Sequence, residues 1–500
     1  MDKELERLNA LLAKRDRIRH MLSVIAYDNE TACPEGGMEE DGEDIVALSE
    51  QIYRIEKSEE FISLVKSLHR RSDFDAFENR LLHNLDLEIR KNEKVSPELR
   101  REMDELFQDA YRIWAKARDK NDYAIFAPML EKIAAISKKV VSLRQDYDPE
   151  DPYQSLIDDY EEGFTTEDLD LFFDELEKGI LPLLDQIRKA DYVPRHDFLS
   201  RPVPIHKQEA FSRFLLERNG FDFKRGSLST TIHPFTSQIG KDDVRVTTHY
   251  HEDQFLSNMF TIIHEGGHAI FGQNLPERCF TSHLGEGSLS MGKHESVSRF
   301  YENLIGRSQN YIHAIYPFFH DLFKEEMGDV SEEDLYEGAN CVFLDNAIRT
   351  EADELTYSLH IIVRYRLEKA IMNGEVDFAT LDVAWADLYE KMLGIRPKDA
   401  LTGILQDVHW TSGFGYFPTY AIGNALGAMY LERMRKEIDV DSLVREGNME
   451  AIRHWMSENV FKRAPLLDTK HWIQEITGRR FSAKPYIAYL TKKFSRLYRL

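Results

Sequence analysis

The chain is predicted to be mainly α-helical, with a small β-sheet just before the apolar helix at 255–271, and three observations carry that expectation. Apolar residues recur at spacings of three and four along most of its 500 residues, strand-like alternation occurs in one short stretch, and the breaks between periodic segments are brief. Length alone suggests about three domains, but composition does not change along the chain and no internal repeat is found, so residues 1–500 read as a single unit.

Leu5, Leu8, Leu11 and Leu12 open an amphipathic helix, and the same pattern recurs over 77–118, 124–145, 167–189 and 207–218. Breaks are expected at 28–42, at Asp148-Pro149-Glu150-Asp151-Pro152 and over the proline-rich 193–204. In 243–250, Val244, Val246 and Thr248 alternate with Arg245 and Thr247. A strand here would either line a cleft with an exposed edge open to an extended peptide or form a short structural hairpin. Residues 255–271 are apolar enough for a buried helix.

A composition of 42% hydrophobic and 30% charged residues is that of a globular protein. A net charge of −24 argues against nucleic acid or an anionic membrane as a main partner, because phosphates are neutralised by clustered Lys and Arg. Cys33, Cys279 and Cys341 are too few and too scattered for a disulfide framework or a Cys-based zinc ribbon. Charges fill Met1 to Arg7, where a secretory signal would turn apolar, and no run approaches the roughly 20 apolar residues of a membrane span. The expected location is the cytoplasm.

His264-Glu265-Gly266-Gly267-His268 falls inside the apolar helix. Residues four apart share a helix face, so both imidazoles reach one cation while Glu265 turns toward water beside it. A catalytic zinc site usually takes a third protein ligand and keeps one position open. Glu295, 27 residues after His268, is the candidate, on a second helix with Ser298, Arg299 and Glu302 on the same face. The alternative for that face is a solvated surface. Glu302 would accept a hydrogen bond from a ligand histidine's other ring nitrogen and fix its tautomer. A His-Glu-x-x-His match by composition alone has a chance of about one in fifteen; the apolar helical context and the downstream glutamate make a metal site the stronger reading.

Two imidazoles and one carboxylate leave zinc with net positive charge, which acidifies water and supplies a nucleophile near neutral pH. Glu265 would take the proton and pass it to a leaving amine. The reaction class is metal-assisted hydrolysis, with an amide as the natural substrate. Its oxyanion needs further donors, such as a Tyr hydroxyl or a His N–H, and these are available in Gly403 to Trp410 and in Tyr416-Phe417-Pro418-Thr419-Tyr420.

At this point the chain resembles the carboxypeptidase Taq family of metallocarboxypeptidases, as a bacterial member. The likeness rests on five ordered stretches: His233-Pro234-Phe235, the His264 to His268 motif, His294-Glu295-Ser296-Val297-Ser298-Arg299, Ile348 to Tyr357, and Gly403 to Trp410. It extends to Tyr27 through Gly37, where Tyr27 and Cys33 replace the commoner Trp and Met; Val297 likewise stands in place of Gln. The resemblance implies a cytoplasmic, metal-dependent carboxypeptidase of broad specificity, built as a mainly helical, saddle-like homodimer. It also implies a deep groove closed at one end, with helices from residues 1–120 over it.

Recognition of a terminal carboxylate calls for a fixed cation, and Arg suits it best because its fork is bidentate. Arg349 is the first candidate, the alternative being an internal ion pair with Asp353; Arg245 is held in reserve. By analogy with related zinc peptidases, His409 and Tyr420 are assigned to transition-state stabilisation, with Tyr416 as an alternative to Tyr420. His233, with Pro234 shaping the turn, lines the groove or serves the fold. Two other readings stay open: an oligopeptidase cutting internally, and a non-catalytic peptide-binding scaffold with structural zinc. His and carboxylate ligands also accept cobalt or manganese. The partners expected are peptides with a free C-terminus.

Overall fold

The computed structural model describes residues 2–145, 147–285 and 289–500; Met1, Asp146 and residues 286–288, the last within the span 230–430 in which the sequence places the metal and catalytic motifs, lie outside them. It is 66% helical with one three-stranded sheet. In chain order the elements used below are helices α1 (Lys3–Thr31), α2 (Met38–Glu56), α3 (Glu59–His69), α4 (Ala76–Asn92), α5 (Pro97–Lys120), α6 (Ala127–Val141), α7 (Thr166–Ile187) and α8 (Ile205–Asn219), then strands β1 (Gly226–Thr230), β2 (Thr236–Gly240) and β3 (Asp243–Thr248). They continue with α9 (Phe255–Gln273), α10 (Met291–Arg299), a π-helical continuation (Phe300–Gly306), α11 (Tyr357–Asn373), α12 (Pro418–Met434) and α13 (Lys484–Leu497).

The expected break at 28–42 is shorter than predicted. α1 runs on through Thr31, and only Ala32 to Gly37, containing Pro34, separates it from α2. The periodic stretch 77–118 is two helices. Ser96 caps the second by accepting from Leu99 N, and Pro97 occupies the first helical position, where its missing N–H costs nothing.

The sheet order is β1-β3-β2, with β3 parallel to β1 and antiparallel to β2. The predicted strand is therefore central, and both its edges are paired. This overturns the expectation of an open edge on β3.

Most buried apolar side chains form one cluster reaching from Ala110 to Tyr498. A smaller cluster of Leu8, Leu12, Phe61, Val65, Leu68, Leu81 and Leu82 joins α1, α3 and α4. These helices meet the rest of the chain through polar contacts, His20 Nδ1 to Ile239 O at 3.0 Å, His83 Nε2 to Glu162 at 2.6 Å, His283 Nδ1 to Asp16 at 2.7 Å and Lys91 to Asp158 at 3.0 Å, and through apolar ones, Leu284 within the smaller cluster and the Tyr27 ring edge-on to Phe235 at 6.0 Å. Among the described residues no helix is long and apolar enough to cross a membrane.

Candidate metal centre and active site

α9 is buried on nearly every side, by Phe255, Met259, Ile262, Ile263, Ala269, Ile270 and Phe271 among others. Its one polar opening is the face carrying His264 and His268. Glycine brings the partner helix close: a Cβ on Gly267 would lie 2.7 Å from Ser298 Cα, so α9 and α10 pack almost backbone to backbone. From the other side, a Cβ on Gly423 of α12 would lie 2.7 Å from Glu295 Cγ. Two glycines thus make the room in which Glu295 faces the two histidines.

Glu295 Oε2 is 3.5 Å from His264 Nε2 and 3.6 Å from His268 Nε2, and ligand atoms of the three residues all lie within 4.8 Å of one another. Bonds of about 2.0–2.1 Å at tetrahedral angles would separate ligand atoms by roughly 3.3 Å. The trio therefore fits one small divalent cation with little adjustment. The rest of the site prepares the donors. His264 Nδ1 is 2.8 Å from Glu302 Oε2, which leaves Nε2 as the free lone pair. Arg299 joins the two carboxylates, Nε to Glu295 Oε1 at 2.7 Å and Nη1 to Glu302 Oε2 at 2.8 Å, and lies over the Tyr357 ring. Burial opposes ionisation of both acids. Arg299 and the histidines outweigh it, holding Glu295 well below the usual carboxylate range and Glu302 down at about 2.

Glu265 is buried beside this trio. Its Oε2 lies 2.7 Å from the Thr236 hydroxyl at the start of β2, and the same hydroxyl is 2.8 Å from the Glu265 carbonyl oxygen. Two cavities meet here, sharing Pro234, His264, Glu265 and Tyr420. The first, about 870 Å³, is lined by the metal trio, Tyr416 and, opposite, Arg80 and Lys91 of α4. The second, about 820 Å³, is lined by His233, Arg299, Arg349 and Arg118 of α5. A substrate bond placed at the junction would have room on both sides.

A family model described as carboxypeptidase Taq (M32) metallopeptidase matches residues 7–494. Carboxypeptidase 1 of Bacillus subtilis (strain 168) is 36% identical over 493 residues, 97% of each chain. The crystal structure of M32 carboxypeptidase from Deinococcus radiodurans R1 aligns over the whole of both chains with a TM-score of 0.95 at 31% identity. A structure of Pyrococcus furiosus carboxypeptidase aligns over 99% of each, with a TM-score of 0.94 at 33% identity. The chain belongs to the carboxypeptidase Taq (M32) metallopeptidase family. As an M32 member it is a metallocarboxypeptidase, a peptide hydrolase for which a divalent metal is expected.

Within this M32 site the other sequence candidates are distributed unevenly. Tyr420 and Tyr416 line the first cavity, and Tyr420 reaches both. His409 lines neither: it sits behind Tyr420, with Nε2 3.1 Å from the hydroxyl, and burial lowers its pKa to about 4. Arg349 lines the second cavity, but its ion partner is Asp407 and not Asp353. Nε and Nη2 lie 2.9 and 2.7 Å from Asp407 Oδ1, and Nη1 lies 3.2 Å from Tyr357 Oη. Asp353 instead accepts from the backbone N–H groups of Leu355 and Thr356. Arg245 borders neither cavity, being paired with Asp243 and stacked over Tyr27, because alternation along β3 turns it toward α1. His233 lines the second cavity beside a trans Pro234. Thr236, Tyr357 and Asp407 were missed as site residues. Asp407 stands inside the Gly403 to Trp410 motif, and Thr236 directly follows His233-Pro234-Phe235, so position in the motifs was the available signal.

Proposed function

We propose that this metallocarboxypeptidase removes single residues from the free C-termini of peptides with broad specificity, using one zinc ion per subunit held by His264, His268 and Glu295, with cobalt or manganese as substitutes. The observation that carries the reading is the convergence of these three donors beside Glu265 at the junction of two cavities. When bound, the metal supplies Lewis acidity toward water and the scissile carbonyl. Glu265, steadied by Thr236, accepts the proton of the attacking water and returns it to the departing amine. The Tyr420 hydroxyl, kept protonated because burial raises its pKa well above the ordinary value, donates to the developing oxyanion. His409 is neutral; with its proton on Nε2 it donates to the Tyr420 oxygen and leaves the phenolic proton for substrate.

Arg349 helps hold the terminal carboxylate. It shares Asp407 with fully buried Arg364, so two guanidinium groups and one carboxylate leave this wall with a net charge of about +1. His233 and Tyr416 line the two sides. We further infer a cytoplasmic homodimer in which residues 1–500 act as one unit and the helices of residues 1–120 cover the groove. Separate thiols at Cys33, Cys279 and Cys341 suit a reducing compartment.

Mass-spectrometric sequencing of products from one peptide, as free acid and as amide, tests the activity. Successive loss of single C-terminal residues from the acid alone is expected. Internal cuts, or equal cleavage of the amide, would favour an oligopeptidase.

A further inference from the structure

Four arginines line the second cavity: Arg118, Arg299, Arg307 and Arg349. Three already neutralise carboxylates. Arg299 pairs with Glu295 and Glu302, Arg307 lies 3.6 Å from Glu302, and Arg349 pairs with Asp407. Arg118, in the last turn of α5, does not. Among the described residues its one hydrogen bond runs from Nη1 to Leu405 O at 2.8 Å, and its guanidinium lies over the Trp114 ring at 5.1 Å. The carboxylates lining the cavity are engaged elsewhere or out of reach: Glu265 with Thr236, Glu302 with His264, and Asp353 with backbone N–H groups, while Glu351 forms no ion pair with Arg118. In a chain of net charge −24, an arginine that lines a cavity without an acidic partner has charge and donors available for an anionic ligand.

Its position is tied to Arg349 through three consecutive residues. Leu405 O accepts from Arg118 and also from Trp114 Nε1, Gln406 Oε1 accepts from the Arg349 backbone N–H, and Asp407 holds the Arg349 side chain. Arg349 has spent its bidentate edge on Asp407, whereas Arg118 retains Nε and Nη2. We propose that Arg118 is the principal binding residue for the substrate's C-terminal α-carboxylate, with Arg349 contributing charge beside it. The released residue then occupies the second cavity, and the rest of the peptide runs through the first, toward α4. This rests on the carboxypeptidase reading above and assigns its specificity to a residue outside the motifs that carry that reading.

The experiment compares wild type, Arg118→Ala and Arg118→Lys on matched free-acid and amidated peptides, with melting temperature and metal content recorded for each. Loss of one charge-assisted fork should raise KM for the free acid roughly 10- to 100-fold in Arg118→Ala, while kcat and the slow amide reaction change by less than about threefold. Arg118→Lys, which keeps the charge but not the fork, should recover part of the loss and serves as the folded control should the alanine variant be unstable. An unchanged acid-to-amide preference in the variants, with C-terminal laddering intact, would overturn the proposal and leave the carboxypeptidase reading standing. So would a loss confined to peptides ending in Asp or Glu, which would mean that Arg118 reads a side chain. If wild type itself cleaved acid and amide equally, both readings would fall.

Discussion

At the scale of single residues, function depends on a few polar groups whose partners are already assigned. Glu265→Gln keeps the bond to Thr236 within reach but cannot take a proton, so kcat/KM should fall by about 10²- to 10⁴-fold. Metal content by elemental analysis should remain at one ion per chain, because Glu265 is not among the donors that converge. Glu302→Gln acts differently. It weakens the hydrogen bond that orients His264 and the tie to Arg299, and metal affinity measured by competition with a chelator should drop roughly 10- to 100-fold.

At the scale of elements, what the sequence revealed and what it hid have physical reasons. α9 and the alignment of its two histidines were readable because a helix buried all round leaves an unambiguous apolar run, and because four-residue spacing puts His264 and His268 on one face. A small sheet beside the metal helix is legible in the sequence, but the positions of its partner strands β1 and β2 are not. Gly-Ser-Leu-Ser-Thr and Thr-Ser-Gln-Ile-Gly lack a regular apolar alternation and become strands only by pairing with β3. Arg349 pairs with Asp407, 58 residues away, and not with Asp353, four away, a long-range pairing that no local pattern encodes.

In three dimensions Gly267 sets the distance between α9 and α10. Gly267→Ala should force those backbones apart, lowering stability by about 1–3 kcal/mol in thermal unfolding and weakening metal binding at the same time.

The segment holding His409 and Tyr416 is pinned by Glu368 of α11, which accepts from Trp410 Nε1 at 2.8 Å, Gly415 N at 2.9 Å and Tyr153 Oη at 2.6 Å. Burial raises this carboxyl to about 7 from an unfolded value of 4.5. The folded state therefore binds the proton more tightly, and the stability associated with it, present below pH 4.5, is lost as pH rises through 7. Glu368→Gln removes that titration, so its melting temperature relative to wild type should improve between pH 5 and pH 8.

At the scale of the whole molecule, α1, α3 and α4 share a smaller apolar cluster and meet the remainder through histidines, ion pairs and a few apolar contacts at Leu284 and Phe235, while α4 walls the first cavity. The proposed cover of the groove by residues 1–120 would suit an enzyme that must admit a chain end. The net charge of −24 predicts no retention on heparin at physiological salt. The proposed homodimer predicts a mass twice the 58.4 kDa of one chain by light scattering.

The central claim is a three-ligand centre with an open position beside Glu265. Anomalous diffraction at the zinc absorption edge tests it most directly. The expected result is one peak per chain, about 2.0–2.2 Å from His264 Nε2, His268 Nε2 and the Glu295 carboxylate, with no fourth protein ligand. A peak elsewhere, or one closed by a fourth side chain such as His294, would contradict the account, since a filled shell leaves no place for the reacting water.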